Sequence, residues 1–182
     1  MKSAGHLQRL IISGMVGLAL MAAAAAALAG PGAGLKLAAP LSDADRHYLG
    51  LEKQGEFALK DLPAPYLVIE VMRTGCGHCL ATVGPMNRLF HLVQGSDLKD
   101  RVKVIGVGEG DSPQALGRYR TKCQVAFPLI PDPDWEVLER YRLSGTPALL
   151  LLDRAGTVKY RHSGAFDHAE QVLKELRRAM KD

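Results

Sequence analysis

Short runs that are apolar throughout alternate along this chain with longer stretches in which apolar residues return every third or fourth position. Residues 66–72 (Tyr-Leu-Val-Ile-Glu-Val-Met) form a near-continuous apolar run of strand length, as expected of a strand buried on both faces. From about residue 77 to 94 the pattern changes. Leu80, Val83, Met86, Leu89/Phe90 and Val93 recur at helical spacing and predict one apolar helix face. A second strand is expected over 102–107. Ser112-Pro113 then starts a helix, with a capping hydroxyl followed by a proline whose missing N–H costs nothing there. That helix carries Leu116, Tyr119 and Cys123 on one side.

Phe127 to Ile130 reads as a short extended piece, and Asp134 as the cap of a helix running through Tyr141. Residues 148–152 predict a buried strand, 153–156 a turn, and 157–161 the hairpin partner. Asp167 with Glu170 three residues later is a cap-like pair opening a last helix, whose Val172, Leu173, Leu176 and Met180 face inward. The resulting β-α-β-α-β-β-α order predicts an α/β domain with a central mixed sheet flanked by helices.

The ends carry different patterns. Lys2 and Arg9 precede an uncharged apolar stretch from Leu10 to Ala29 that closes in Ala27-Leu28-Ala29. A basic start, an apolar middle and a small-residue exit make 1–29 a signal peptide, or a signal anchor, since its length approaches the ~20 residues that span a bilayer. Export, to the periplasm or another extracytoplasmic space, is expected either way. Membrane contact would come only through residues 10–29 if they stay uncleaved, with the basic end in the cytoplasm. No cysteine precedes Cys76, so a lipid-modified cysteine at the processing site is excluded. Residues 30–45, rich in Gly, Ala and Pro, read as a flexible linker, although Ser42-Asp43-Ala44-Asp45 is also a helix-capping pattern. Residues 46–182 then form one domain with a core of its own.

The net charge of +4 loses two when Lys2 and Arg9 are set aside. The remaining basic residues are dispersed among acidic ones, which argues against a nucleic-acid partner.

Against this background one tetrapeptide stands out, Cys76-Gly77-His78-Cys79, lying between the first strand and the helix after it. Two cysteines two residues apart can close a small disulfide, reopen it, and pass its oxidising equivalents on. The attacking sulfur must be a thiolate, and a helix N-terminus stabilises that charge. Cys76 is then the exposed nucleophile, and Cys79, one turn further in, resolves the mixed disulfide. His78, when cationic, would stabilise the neighbouring thiolate and so favour the reduced pair; the alternative is an exposed histidine of no consequence. A structural zinc needs about four ligands, and no second Cys/His pair is present. A haem attachment motif needs His after Cys79, where Leu80 stands. No cofactor or metal is called for. Cys123 is left over, either an inert buried thiol or a further resolving one.

The segment from Ile69 to Cys79 resembles the active-site segment of thioredoxin-fold proteins, with the Cys-Gly-His-Cys of protein disulfide isomerases. Ser144-Gly145-Thr146-Pro147 with the apolar run to Asp153 resembles that fold's cis-proline loop, and Phe57 to Leu62 resembles the entry of TlpA/ResA-like thiol-disulfide oxidoreductases, relatives of the AhpC/TSA group. The resemblance covers roughly 46–182. It implies a thioredoxin-like fold with an extra helix between the second and third core strands, and exchange of disulfides with protein thiol substrates. A membrane or soluble redox partner would recycle the pair. By the same resemblance Glu70, an acid inside an apolar strand, moves protons to and from Cys79. On the residues alone it could instead lie at the strand's edge and pair with Arg73. Thr146 and Pro147, with a cis bond between them, would dock substrate backbone, and Gly77 and His78 would tune the potential.

Two departures stand beside the resemblance: Gly75 occupies the place of an aromatic residue, and Pro85 falls one position later than usual in the helix. Two rival readings remain. One is a thiol peroxidase of the AhpC/TSA type, although Thr74 is two rather than three residues before Cys76. The other is a copper-handling module using both thiols and a distant imidazole such as His162.

Overall fold

The computed structural model describes residue 32 and residues 34–181. The expected signal segment, 1–29, lies outside the described residues, and among those described no helix is long and apolar enough to cross a membrane. Two strands come first, β1 (Lys36–Ala39) and β2 (Gly55–Ala58), paired antiparallel around helix α1 (Asp43–Leu49). The main sheet has five strands: β3 (Tyr66–Met72), β4 (Val102–Glu109), β5 (Leu129–Asp132), β6 (Ala148–Asp153) and β7 (Val158–Ser163). Their order is β5-β4-β3-β6-β7, with β3, β4 and β5 parallel and β6 and β7 antiparallel to their neighbours. Helices α2 (Gly77–Gln94), α3 (Pro113–Cys123), α4 (Glu136–Arg140) and α5 (Ala169–Ala179) complete the fold. This is the expected mixed sheet flanked by helices; the short helix α4 lies between β5 and β6.

The pleat of β3 explains the layering. Successive side chains point to opposite faces. Leu67, Ile69 and Val71 join the cluster formed with β1, β2, α1 and α4, while Val68 and Met72 join the one formed with α2, α3 and α5. Glu70 has the parity of Val68 and Met72, so its carboxyl enters the layer beneath α2. Each fully buried aliphatic side chain in these layers contributes about 1.5–3 kcal/mol, enough to fix the strand's register against a one-residue slip.

Several expectations need correction. The flexible linker expected over 30–45 does not extend through its C-terminal part: Leu35, Leu37, Ala39 and Leu41 are buried at alternating positions, β1 lies between them, and Ser42 caps α1 by accepting the Asp45 N–H at 3.1 Å. The domain's packed core therefore begins before residue 46. The extended piece near Phe127 continues into β5, an edge strand parallel to β4. Trp135, not Asp134, occupies the cap position of α4, in a left-handed conformation (φ 59°), and the first N–H groups of that helix go to the Asp132 carboxylate at 3.0 and 2.8 Å. His168 precedes α5 without a side-chain cap, and Glu170 instead pairs with Arg88 across to α2. Pro85 sits inside α2, which runs on without a break. The proline leaves the carbonyl of Ala81 without its usual N–H, on an exposed stretch of helix where water can serve it.

Candidate active site

Parallel strands β3, β4 and β5 all end toward the same edge of the sheet, and their carboxyl ends carry the groups that matter. After β3 four residues turn the chain into α2. Cys76 is that helix's N-cap, and its sulfur accepts the Cys79 N–H at 3.3 Å. Burial alone would push the Cys76 thiol up. The hydrogen bonds it receives from Cys79, the Thr146 side chain and the His78 backbone outweigh that, and hold it below the 9.0 of an ordinary thiol.

Cys79 lies one turn further in and is 0% exposed. Burial, then the neighbouring Cys76 sulfur, push its thiol up to about 12. The helix start thus places two chemically identical groups differently, one half-exposed thiol that ionises more readily than usual and one buried thiol that ionises less readily. Both are free thiols in this structure.

Thr146 and Pro147 reach the same place from the loop before β6. The peptide bond between them is cis, and the Cys76 S–H donates to the Thr146 carbonyl at 3.7 Å. Pro147 is buried, and its carbonyl accepts the Gly164 N–H at 2.8 Å, which ties the loop to the end of β7. Gly77 and His78 are exposed at the first turn of α2. An added Cβ at either Gly75 or Gly77 would meet nothing within 4 Å, so the approach to Cys76 is open.

Glu70 is only 5% exposed, and its carboxyl accepts the Thr82 hydroxyl at 3.0 Å. Burial pushes it up to about 7, against the opposing pull of that hydrogen bond. Its alternative partner, Arg73, is engaged elsewhere, with its guanidinium 4.8 Å from the centre of the Trp135 ring.

Sequence reasoning missed four residues of this neighbourhood. Thr82 is the first; it is a polar residue in the apolar stripe Cys79–Met86–Leu89–Val93, and that interruption was its signal. Asp111 is the second: its carboxylate accepts both the N–H of Thr74 at 2.8 Å and the Thr74 hydroxyl at 2.6 Å, fixing the loop that presents Cys76. Trp135 is the third. Its ring lies on Gly110 (φ +68°), where a Cβ would meet it at 2.9 Å, and it supports Arg73 from below. Glu109, at the end of β4, is the fourth. It is 0% exposed, stands in register with Asp132 and makes no hydrogen bond among the described residues through either carboxyl oxygen. Burial, and then the Asp132 charge, push it up to about 8.

The residues invoked for the rival chemistries are placed differently. The Thr74 hydroxyl is committed to Asp111 rather than to the Cys76 sulfur. His162 packs edge-on against Phe166, its Nε2 3.4 Å from the Ala165 carbonyl, and among the described residues no three of His, Cys, Asp or Glu gather in a metal-binding group. Cys123 is half-buried at the end of α3.

Comparison with known proteins agrees with this architecture. A thiol-disulfide oxidoreductase, ResA, of Geobacillus kaustophilus is 24% identical over 107 residues, 59% of this chain and 59% of that one. The match thus spans less than two thirds of the relative's length. A thiol-disulfide isomerase from Corynebacterium glutamicum superposes with a TM-score of 0.55 at 24% identity, covering 69% of this chain and 87% of that one. A thioredoxin-like protein from Aeropyrum pernix gives 0.52 at 11%, covering 67% and 82%. At these identities the structures establish a shared thioredoxin-like fold. The AhpC/TSA family model matches residues 39–161, from the end of β1 into β7 and through every strand of the main sheet between; the chain belongs to the AhpC/TSA family.

Proposed function

We propose that this protein is an exported thiol-disulfide oxidoreductase that exchanges disulfides with protein substrates through Cys76 and Cys79. The observation that carries the reading is the unequal placement of the pair: Cys76 is half-exposed at the N-cap of α2, its sulfur accepting the Cys79 N–H at 3.3 Å, while Cys79 is fully buried one turn further in. The Cys76 thiolate attacks a substrate disulfide, forming a Cys76–substrate bond and releasing one substrate sulfur as a thiolate. Cys79 then gives its proton to Glu70 and attacks the Cys76 sulfur. The bonding pair of the mixed disulfide leaves with the second substrate sulfur. The substrate gains two electrons and the pair closes as a Cys76–Cys79 disulfide; run backwards, the same steps introduce disulfides. Thr146 and Pro147 would dock the substrate backbone beside Cys76, and Gly77 and His78 would tune the potential. A membrane or soluble thiol partner resets the pair. The basic-apolar-small pattern of residues 1–29 supports placement outside the cytoplasm.

The test is reduction of insulin disulfides by the purified protein with dithiothreitol as electron source. Cys76→Ser should abolish catalysis, and Cys79→Ser should accumulate a mixed disulfide visible on a non-reducing gel. A Cys76→Ser variant as active as wild type sinks the reading. Peroxide consumption that outpaces disulfide exchange would favour the peroxidase instead, which the commitment of Thr74 to Asp111 argues against.

A further inference from the structure

The mechanism above asks Glu70 to be a base at one moment and an acid the next, while buried under α2. A carboxylate can only accept hydrogen bonds, whereas a carboxylic acid must donate one. A buried group that loses its partner on changing state incurs a desolvation penalty. Something must therefore serve both forms.

Thr82 meets that requirement. It is 1% exposed, and its Oγ1 lies 3.0 Å from Glu70 Oε1 and 2.8 Å from the carbonyl oxygen of Cys79. A hydroxyl has one proton and two lone pairs, so it cannot donate to both at once. We propose that Thr82 is the positioning residue of the Glu70–Cys79 couple, its one hydroxyl proton alternating between the Glu70 carboxylate and the Cys79 carbonyl so that Glu70 stays hydrogen-bonded in both protonation states.

With Glu70 ionised, Thr82 donates to it. When the Cys79 thiol gives up its proton, Glu70 becomes the donor to Thr82 Oγ1, and Thr82 turns its own proton onto the Cys79 carbonyl. One proton has left sulfur and one has arrived on carboxylate; no heavy atom need move. The link also connects the acid to the backbone of the residue whose sulfur it serves, because donation to a carbonyl three residues earlier is an ordinary geometry for a helical threonine.

Among the described residues Thr82 is the side chain hydrogen-bonded to the Glu70 carboxyl. The register partners of Glu70 are Gly106 of β4 and Leu149 of β6, neither of which brings a charge. The titratable groups packed in this layer are Cys76 and Cys79 at the start of α2, Tyr119 and Cys123 from α3, Tyr66 from β3 and Tyr160 from β7. The Tyr119 hydroxyl is buried without a hydrogen-bond partner among the described residues.

This inference rests on reading Cys76 and Cys79 as an exchanging pair, and the experiment separates the two. In the full-length reduced protein, the Glu70 carboxyl is followed by ¹³C NMR against pH, assigned by its absence in Glu70→Gln, alongside the pH profile of insulin reduction. Thr82→Val should move the Glu70 midpoint up by about one pH unit, a tenfold change in its ionisation constant. The acidic limb of the rate profile should move with it, and Thr82→Ser should restore both. A Glu70 midpoint indifferent to Thr82→Val overturns the assignment of Thr82 while exchange continues. A wild-type protein that exchanges no disulfide overturns the redox reading, and the Cys79 half of this inference with it.

Discussion

Replacing Glu70 by glutamine should make the protein more stable, and by an amount that grows with pH. Glutamine keeps an oxygen to accept the Thr82 hydroxyl but has no charge to bury. In the folded wild type burial raises the Glu70 pKa from its ordinary 4.5 to about 7. Between those values the folded state holds a proton that the unfolded chain has released, so wild-type stability falls as pH rises through this window. Its full contribution is present below pH 4.5 and lost above pH 7. At about 1.4 kcal/mol per pH unit, the separation amounts to about 3 kcal/mol.

The assay is urea unfolding of wild type and Glu70→Gln under reducing conditions, at intervals from pH 4 to pH 8. Other groups, Glu109 included, titrate in both proteins and cancel in the difference. The two stabilities should run together near pH 4, diverge steadily from about 4.5, and hold a constant gap above about 7. A gap independent of pH would refute the reasoning, because it would mean that Glu70 ionises when folded as readily as when unfolded.

Four further outcomes follow from the same geometry. Iodoacetamide should alkylate Cys76 with a midpoint below pH 9, while Cys79 stays unreactive well above it, as mass spectrometry of the modified peptides would show. Glu109→Gln should also gain stability as pH rises, now between 4.5 and about 8, because the folded wild type holds that proton longer still; chemical unfolding at pH 5 and pH 8.5 reads the difference. Asp111→Ala removes both hydrogen bonds to Thr74, and should cost about 1–2 kcal/mol while lowering the rate of insulin reduction through a loosened Cys76 loop. Cys123→Ser should leave that rate unchanged, since the proposed steps do not use that thiol.

How much of this could be read in advance depended on whether a signal was local. The run 66–72 and the spacing from Leu80 to Val93 carried β3 and α2 because burial on two faces and on one stripe leave different periods in the sequence. Glu70 was only half legible: the residues alone left it at the strand's edge or under α2, and its parity with Val68 and Met72 decides for α2 only once the burial of those two is seen. The linker expectation failed because Gly, Ala and Pro were weighed by composition. The alternation Leu35, Leu37, Ala39, Leu41 was the better guide, and it is the pattern β1 uses. Asp134 failed as a cap because Trp135 takes a left-handed conformation that hands the helix start to Asp132. Asp111 and Trp135 had no local signal. They reach the Cys76 loop because β4 lies beside β3 and β5 beside β4, with all three carboxyl ends at one edge, a consequence of strand order that no window of sequence displays.

The most direct test of the central claim is a glutathione redox titration of the protein, with Cys76 and Cys79 followed by alkylation and mass spectrometry. The account predicts a single two-electron couple in which both thiols disappear together into one intramolecular disulfide, with a midpoint in the range spanned by thioredoxin-like enzymes, about −270 to −120 mV. If Cys76 and Cys79 remain separately alkylatable across the whole titration, no such pair exists and the account is wrong.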